Sequence, residues 1–176
     1  MDAFSILSII VIIGSLVFSF WKRVDIVPVL IMTNLLVFML TILSPWTGLY
    51  QVQLELGFRP VYLQTGDDLY TIFTQMYVHG DIIHILFNMV FLYLIGVQLE
   101  ARIGKNKFAA VYFIAGVMGV LAESLMQWGS WTIIIGASGA ISGAMGAMLF
   151  LYPKDEIPFF LGPIFGPRKN GISSLG

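Results

Sequence analysis

Five long apolar stretches, separated by more polar segments, dominate the pattern of hydrophobic and polar positions along this chain of 176 residues. A helix needs about 20 apolar residues to cross the hydrocarbon core of a membrane. Stretches near that length run over residues 4–21, 26–43, 82–99, 108–126 and 133–152. A further apolar piece, 157–165, is too short to span and contains two prolines. The pattern predicts an all-α polytopic transmembrane helix bundle with five spans.

Composition supports the membrane class. Hydrophobic residues make up 58% of the chain and charged residues only 11%, whereas about 25% are charged in a typical soluble domain. The net charge of −1 provides no broad basic surface, so we expect no nucleic acid partner. The chain has no Cys, which excludes disulfides and thiolate metal sites.

The first apolar stretch does not resemble a cleaved signal peptide. Only Asp2 precedes it as a charged residue, whereas a signal peptide has a basic N-terminal region. No small-residue cleavage site follows it, because the sequence continues as Phe20-Trp21-Lys22-Arg23. We therefore expect a retained helix.

The basic residues of the short connections predict the orientation. All of them except Arg59 lie between the first and second stretches, between the third and fourth, or after the fifth: Lys22, Arg23, Arg102, Lys105, Lys107, Lys154, Arg168 and Lys169. These segments are expected in the cytoplasm, which leaves segments 44–81 and 127–132 outside. The prediction is an integral protein of the plasma membrane.

Segment 44–81 is long for a connection within a bundle, where 2–8 residues are usual. It is rich in aromatic residues, namely Trp46, Tyr50, Phe58, Tyr62, Tyr70 and Phe73. Such content predicts a folded or interface-lying loop, since a free linker would be more polar. A loop of this size could cover a site beneath it.

Polar side chains cluster at the start of the third span. His84 and Asn88 are four residues apart and thus share one helical face, and His79 lies just before the span. Such groups are costly in a membrane, so each needs a structural or functional reason. On their own, His84 and Asn88 could equally be interhelical hydrogen-bond partners.

A second polar site opens the fifth stretch, which reads Gly136-Ala137-Ser138-Gly139-Ala140. Glycines on both sides of Ser138 permit a tight turn. If a helix starts near Ser138, its free N–H groups can stabilise an oxyanion, and Ser138 becomes a reasonable nucleophile position given a base. Taken alone, a serine in a Gly/Ala-rich helix is more often a packing residue.

The spans bring the two sites to a common depth. The third and fifth spans both begin on the outer side, so the two histidines and Ser138 should meet in the outer half of the membrane.

A metal or haem on His79 and His84 is disfavoured. A five-residue spacing turns two side chains about 140° apart on a helix, and the span holds no acidic third ligand. A transport bundle would carry charges deep in several helices, and this chain has almost none.

These residues resemble the motifs of the rhomboid family of intramembrane serine proteases. The run from His79-Gly80-Asp81 through His84 to Asn88 is similar to that family's signature of two histidines and an asparagine, and Gly136-Ala137-Ser138-Gly139 matches its Gly-x-Ser-Gly motif. Segment 96–100 resembles the end of the same family helix. The resemblance covers roughly residues 26–152 and implies a rhomboid-like bundle.

The resemblance also implies roles. Ser138 would be the nucleophile, His84 and Asn88 would help form the oxyanion hole, and His79 would support the site from the loop side. The implied reaction is endopeptidase cleavage of membrane proteins in or beside a transmembrane segment, within the lipid bilayer and without metal or cofactor. Residues 1–25 would be an extra N-terminal helix and basic turn, 26–152 the core helices one to four, and 153–176 an incomplete tail.

The chain departs from the family in one respect that bears on activity. The family's base is a second catalytic His on its sixth core helix, and no third His follows before Gly176. The sequence thus predicts a truncated form that is incomplete or inactive on its own. The alternative is a catalytically dead rhomboid-like protein that binds transmembrane helices. The small residues of the fifth stretch, among them Gly139 and Gly143, would then face lipid, another chain or a rearranged neighbour.

Overall fold

The computed structural model describes residues 1–43 and 48–153, and within them the fold is all-helical. Eight helices follow one another: α1 (Ala3–Lys22), α2 (Ile26–Leu43), α3 (Gly48–Leu56), α4 (Tyr62–Thr65), α5 (Thr71–Thr74), α6 (Ile82–Ile103), α7 (Lys105–Met126) and α8 (Ser138–Leu151). Helix α6 contains a π-helical turn at Leu92–Gly96, and a 3₁₀ turn at Gln75–Tyr77 follows α5. This architecture confirms the predicted all-α membrane bundle.

Within residues 1–43 and 48–153, four helices are long and apolar enough to cross a membrane, namely α1, α2, α6 and α7. They confirm the first four predicted spans with end shifts of at most a few residues. Lipid offers no hydrogen bonds to a backbone, so apolar stretches of this length must be helical. The protein is an integral membrane protein.

The fifth predicted span is wrong in its extent. Helix α8 has 14 residues, about 21 Å at the helical rise, which is short of the hydrocarbon thickness. Residues 133–136 are not helical. Ile134 and Phe58 pair in an antiparallel bridge with N–O distances of 2.7 and 3.0 Å. Apolar composition alone does not distinguish this non-helical segment from a helix.

The spans give the bundle two ends. The turn end holds the α1–α2 and α6–α7 connections, and the loop end holds residues 48–81 and the start of α8. Residues 48–81 form a folded unit, as predicted, because Phe58, Tyr62 and Tyr77 are buried there. Trp46 lies outside the described residues.

Glycines at the contact between α7 and α8 allow these two helices to pack closely in the core. A Cβ added at Gly119 would lie 3.3 Å from the Cα of Gly139, and one added at Gly143 would lie 2.1 Å from the Cβ of Ala115. Small residues let helix backbones approach this closely. Of the three predicted alternatives, Gly139 and Gly143 therefore face a neighbouring helix, α7, and not lipid or another chain.

Candidate active site

The start of α6 fixes the first part of the site. Asp81 is the N-cap, and its Oδ1 accepts a hydrogen bond from the His84 N–H at 2.8 Å. One turn later, the Asn88 side-chain amide donates to the His84 carbonyl at 2.9 Å, and Asn88 is buried. The cap and the amide contact hold His84 and Asn88 on one face of the helix, as the spacing predicted.

The imidazole of His84 lies between two glycines of the loop end. Its Nδ1 accepts a hydrogen bond from the Gly80 N–H at 3.3 Å. A Cβ added at Gly136 would lie 2.6 Å from its Nε2. In a neutral ring with an accepting Nδ1, the proton resides on Nε2, so this nitrogen is a hydrogen-bond donor aimed at the turn before Ser138.

His79 packs edge-on against His84. The ring centroids are 5.0 Å apart, with an angle of 70° between the planes. His79 precedes α6, so the helical spacing argument that placed the two rings about 140° apart was wrong. Burial and the neighbouring His84 ring lower the pKa of His79 to about 4, against weaker opposing effects of the Tyr77 backbone and the Asp81 carboxylate. His79 is therefore neutral at pH 7.

The backbone before Ser138 forms a tight turn. Gly136 has φ +113°, a conformation that side chains with a Cβ rarely adopt, and its N–H donates to the Gln75 carbonyl at 2.9 Å. Helix α8 begins at Ser138, and this residue is exposed. The first N–H groups of a helix have no partner within it, so the end of α8 offers donors and positive potential beside the hydroxyl.

The arrangement brings the Ser138 turn, His84 and His79 to one place at the loop end, with Asn88 one turn deeper along α6. Sequence reasoning did not identify Gly80, Asp81 or Gly136 as supports of His84. Asp81 directly before an apolar helical run is an N-cap signal. The contact between Gly136 and His84 has no such local signal, because 52 residues separate the two positions.

The residues that the structure describes give no support for a metal centre. Within residues 1–43 and 48–153, no three His, Asp or Glu side chains are grouped so that they could hold a metal ion. What the site can offer chemically is a hydroxyl, an imidazole N–H, a carboxamide and the free N–H groups of a helix end.

Comparison with known proteins gives a family match and partial relatives. The Rhomboid domain family matches residues 66–167, more than half of the chain. Rhomboid-like protease 3 of Toxoplasma gondii is 38% identical over 80 residues, which is 46% of this chain and 30% of that protein. RHOMBOID-like protein 6, mitochondrial, of Arabidopsis thaliana is 37% identical over 84 residues, 48% of this chain and 27% of that protein.

Another relative carries a different description. Inactive RHOMBOID-like protein 8 of Arabidopsis thaliana is 30% identical over 93 residues, 53% of this chain and 26% of that protein. The chain thus spans less than a third of the length of each of these three relatives. No solved structure matches it.

Proposed function

Because this chain belongs to the rhomboid family, whose members are generally intramembrane serine proteases, we propose that it is a serine endopeptidase. Its substrates are membrane proteins, cut within or beside a transmembrane segment. Ser138 is the nucleophile, and His84 and Asn88 bind the oxyanion. His79 is a positioning residue for His84.

One observation carries this proposal: the edge of the His84 ring lies against Gly136 in the turn that starts α8. A hydrogen-bond donor next to the N-terminus of the serine helix is the arrangement that an acyl-transfer site needs. A packing serine or an interhelical hydrogen bond would not require an imidazole at this turn.

The proposed reaction starts with attack of Ser138 Oγ on the scissile carbonyl carbon. The carbonyl oxygen becomes an oxyanion, which accepts hydrogen bonds from His84 Nε2, the Asn88 amide and the first N–H groups of α8. Loss of one such donor costs about 10²–10³-fold in rate in well-studied hydrolases. The proton of the Ser138 hydroxyl passes to the amine, which leaves as the C–N bond breaks. Water then hydrolyses the acyl-enzyme, which releases the acid and returns a proton to Ser138 Oγ.

Neither histidine is assigned to proton removal from Ser138. His84 accepts at Nδ1 and is assigned as a donor at Nε2, and the ring of His79 packs edge-on against His84. A general base contributes about 10²–10⁴-fold. We therefore expect this polypeptide on its own to react slowly through Ser138.

The proposed location is the plasma membrane, with Ser138 facing outward. The basic connections at the turn end support this orientation through the positive-inside rule. Modification of a single introduced cysteine by a membrane-impermeant reagent tests it. Trp131→Cys, at an exposed position of the loop end, should react from outside intact cells.

A fluorophosphonate probe tests the nucleophile. The native protein should label slowly, Ser138→Ala should lose the labelling, and Ser142→Ala should retain it. Ser142 is the matched control because it is exposed and lies one turn along the same helix. Equal labelling of the two variants would refute Ser138 as the nucleophile.

A catalytically dead protein that binds transmembrane helices is the second candidate. It is supported by the relative described as inactive. This function predicts a folded protein without labelling that still co-purifies with a transmembrane peptide from detergent. Cleavage of that peptide would exclude the second candidate.

A further inference from the structure

A lateral groove runs between α1 and α2, away from the Ser138 site. Its volume is about 520 Å³, and its walls include Phe18, Val29, Met32 and Leu36. Three of these side chains are about half exposed. The groove opens toward the membrane, because both helices that form it are spans.

The polar atoms in the floor of the groove are already satisfied. Thr33 Oγ1 is 2.7 Å from Ser15 Oγ and 2.7 Å from the Val29 carbonyl oxygen. Polar groups that bond to each other do not require a polar ligand. Apart from Asp25 at the turn end, the rest of the lining is apolar, so the occupant between the helices is a hydrocarbon chain.

The length of the groove matches one leaflet of a bilayer. Its lining extends from Asp25, in the turn just before α2, to Leu36 of α2, about 16 Å at the helical rise. Half of a hydrocarbon core of about 30 Å is about 15 Å. A single acyl chain from the leaflet at the turn end therefore fits along it.

The turn between α1 and α2, in which Asp25 lines the groove, carries charges of both signs. Lys22, Arg23 and Asp25 lie within four positions and are exposed. Lys22 Nζ lies 4.3 Å above the ring of Trp21, an aromatic residue typical of the membrane interface. Within the described part of the chain, Arg23 and Asp25 have no ion pair. Two cations and one carboxylate complement a headgroup that has a phosphate and an ammonium.

We propose that this groove binds a glycerophospholipid whose headgroup carries a primary ammonium. One acyl chain lies between α1 and α2, the phosphate contacts Lys22 and Arg23, and the ammonium donates to Asp25. The site would make α1 a lipid-binding part of the bundle, independent of the chemistry at Ser138.

Native mass spectrometry of the detergent-purified protein tests the proposal. The added probes are phosphatidylethanolamine, phosphatidylcholine and phosphatidylglycerol with identical acyl chains. Phosphatidylethanolamine should bind at least fivefold more tightly than the other two lipids. Asp25→Asn should abolish that preference, because it removes the acceptor charge without changing the groove.

Blocking the groove gives a second test. Val29→Trp should weaken binding of all three lipids about tenfold, and Val17→Trp should not. Val17 is an exposed position of α1 that does not line the groove. Equal affinity for the three lipids, a preference retained in Asp25→Asn, or undiminished binding to a folded Val29→Trp protein would each overturn the proposal. Asp25 is exposed, so its substitution tests the site even if Val29→Trp fails to fold.

Discussion

At the scale of single residues, the site depends on a contact between two imidazoles. His79 is 1% exposed and touches His84, which in turn lies against Gly136. A charged His79 would lose its hydration in this environment and face a second imidazole, so the folded protein keeps it neutral. The neutral ring packs edge-on against His84, which lies against the turn before Ser138.

This burial predicts a pH dependence of stability. The pKa of His79 is about 4 in the folded protein and about 6.5 in an unfolded chain. Between these values the unfolded state binds more protons, so stability falls as the pH falls from 6.5 to 4. The total loss is about 3 kcal/mol. Melting temperatures in detergent between pH 8 and pH 4 measure it.

His79→Gln is the control for this titration, because it removes the ionisable group at the same position. Carboxylates also titrate near pH 4, so the informative quantity is the difference between the two proteins. The native protein should lose more stability than His79→Gln over this range. Identical slopes would show that His79 is not the group responsible.

At the scale of helices, one buried carboxylate organises the turn end. The two oxygens of Glu100 accept hydrogen bonds from the N–H groups of Ile26 and Val27 at 2.6 and 2.9 Å. These are donors of the first turn of α2, which have no partner within that helix. A side chain near the end of α6 thus caps α2 and fixes the two spans relative to each other.

Removal of this cap should destabilise the protein. Glu100→Ala leaves two buried N–H groups unpaired and should lower the free energy of unfolding by about 3 kcal/mol. Glu100→Gln retains an acceptor and should cost less. Reversible unfolding in mixed micelles measures both values. Glu123→Ala is the matched control, because Glu123 is exposed and should change stability by at most about 0.5 kcal/mol.

At the scale of the whole molecule, α1 is attached to the bundle at both of its ends. At the loop end, the Asp2 N–H donates to Glu55 Oε2 of α3 at 2.8 Å. At the turn end, Lys105 donates from the start of α7 to the carbonyls of Ser19 and Val24, the latter at 3.0 Å. The face between these ends packs through small residues, because Ser5, Ser8 and Ser19 are fully buried. Helix α1 is therefore part of the folded unit.

The attachment at the turn end can be tested by hydrogen exchange. Lys105→Met keeps the aliphatic stem but removes a charged donor, a contact of about 1.5–3 kcal/mol. Amide exchange in residues 19–26 should accelerate about tenfold or more. Lys107→Met, at an exposed neighbouring position, should leave that exchange unchanged. Equal protection in both variants would mean that α1 stays attached without Lys105.

Much of the site could be predicted from local sequence. The spacing of four positions from His84 to Asn88 places them on one helical face. Glycines around Ser138 predict a turn at a helix start, which is where α8 begins. The contact of His84 with Gly136 and the pairing of Ile134 with Phe58 could not be predicted in this way. Both join residues far apart in sequence, and neither has a periodic signal.

By itself, the sequence determined the membrane class and the first four spans, because lipid cannot hydrogen-bond to a backbone and long apolar stretches must then form helices. Only the tertiary structure decided that the fifth apolar stretch is not helical before α8, and which helix fills the groove at Gly139 and Gly143. Both outcomes depend on partners that are distant in sequence. Phe58 pairs with Ile134 before α8 begins, and the glycine-bearing face of α7 packs against Gly139 and Gly143. The apolar side chains favour burial, but packing determines which neighbouring residues cover them.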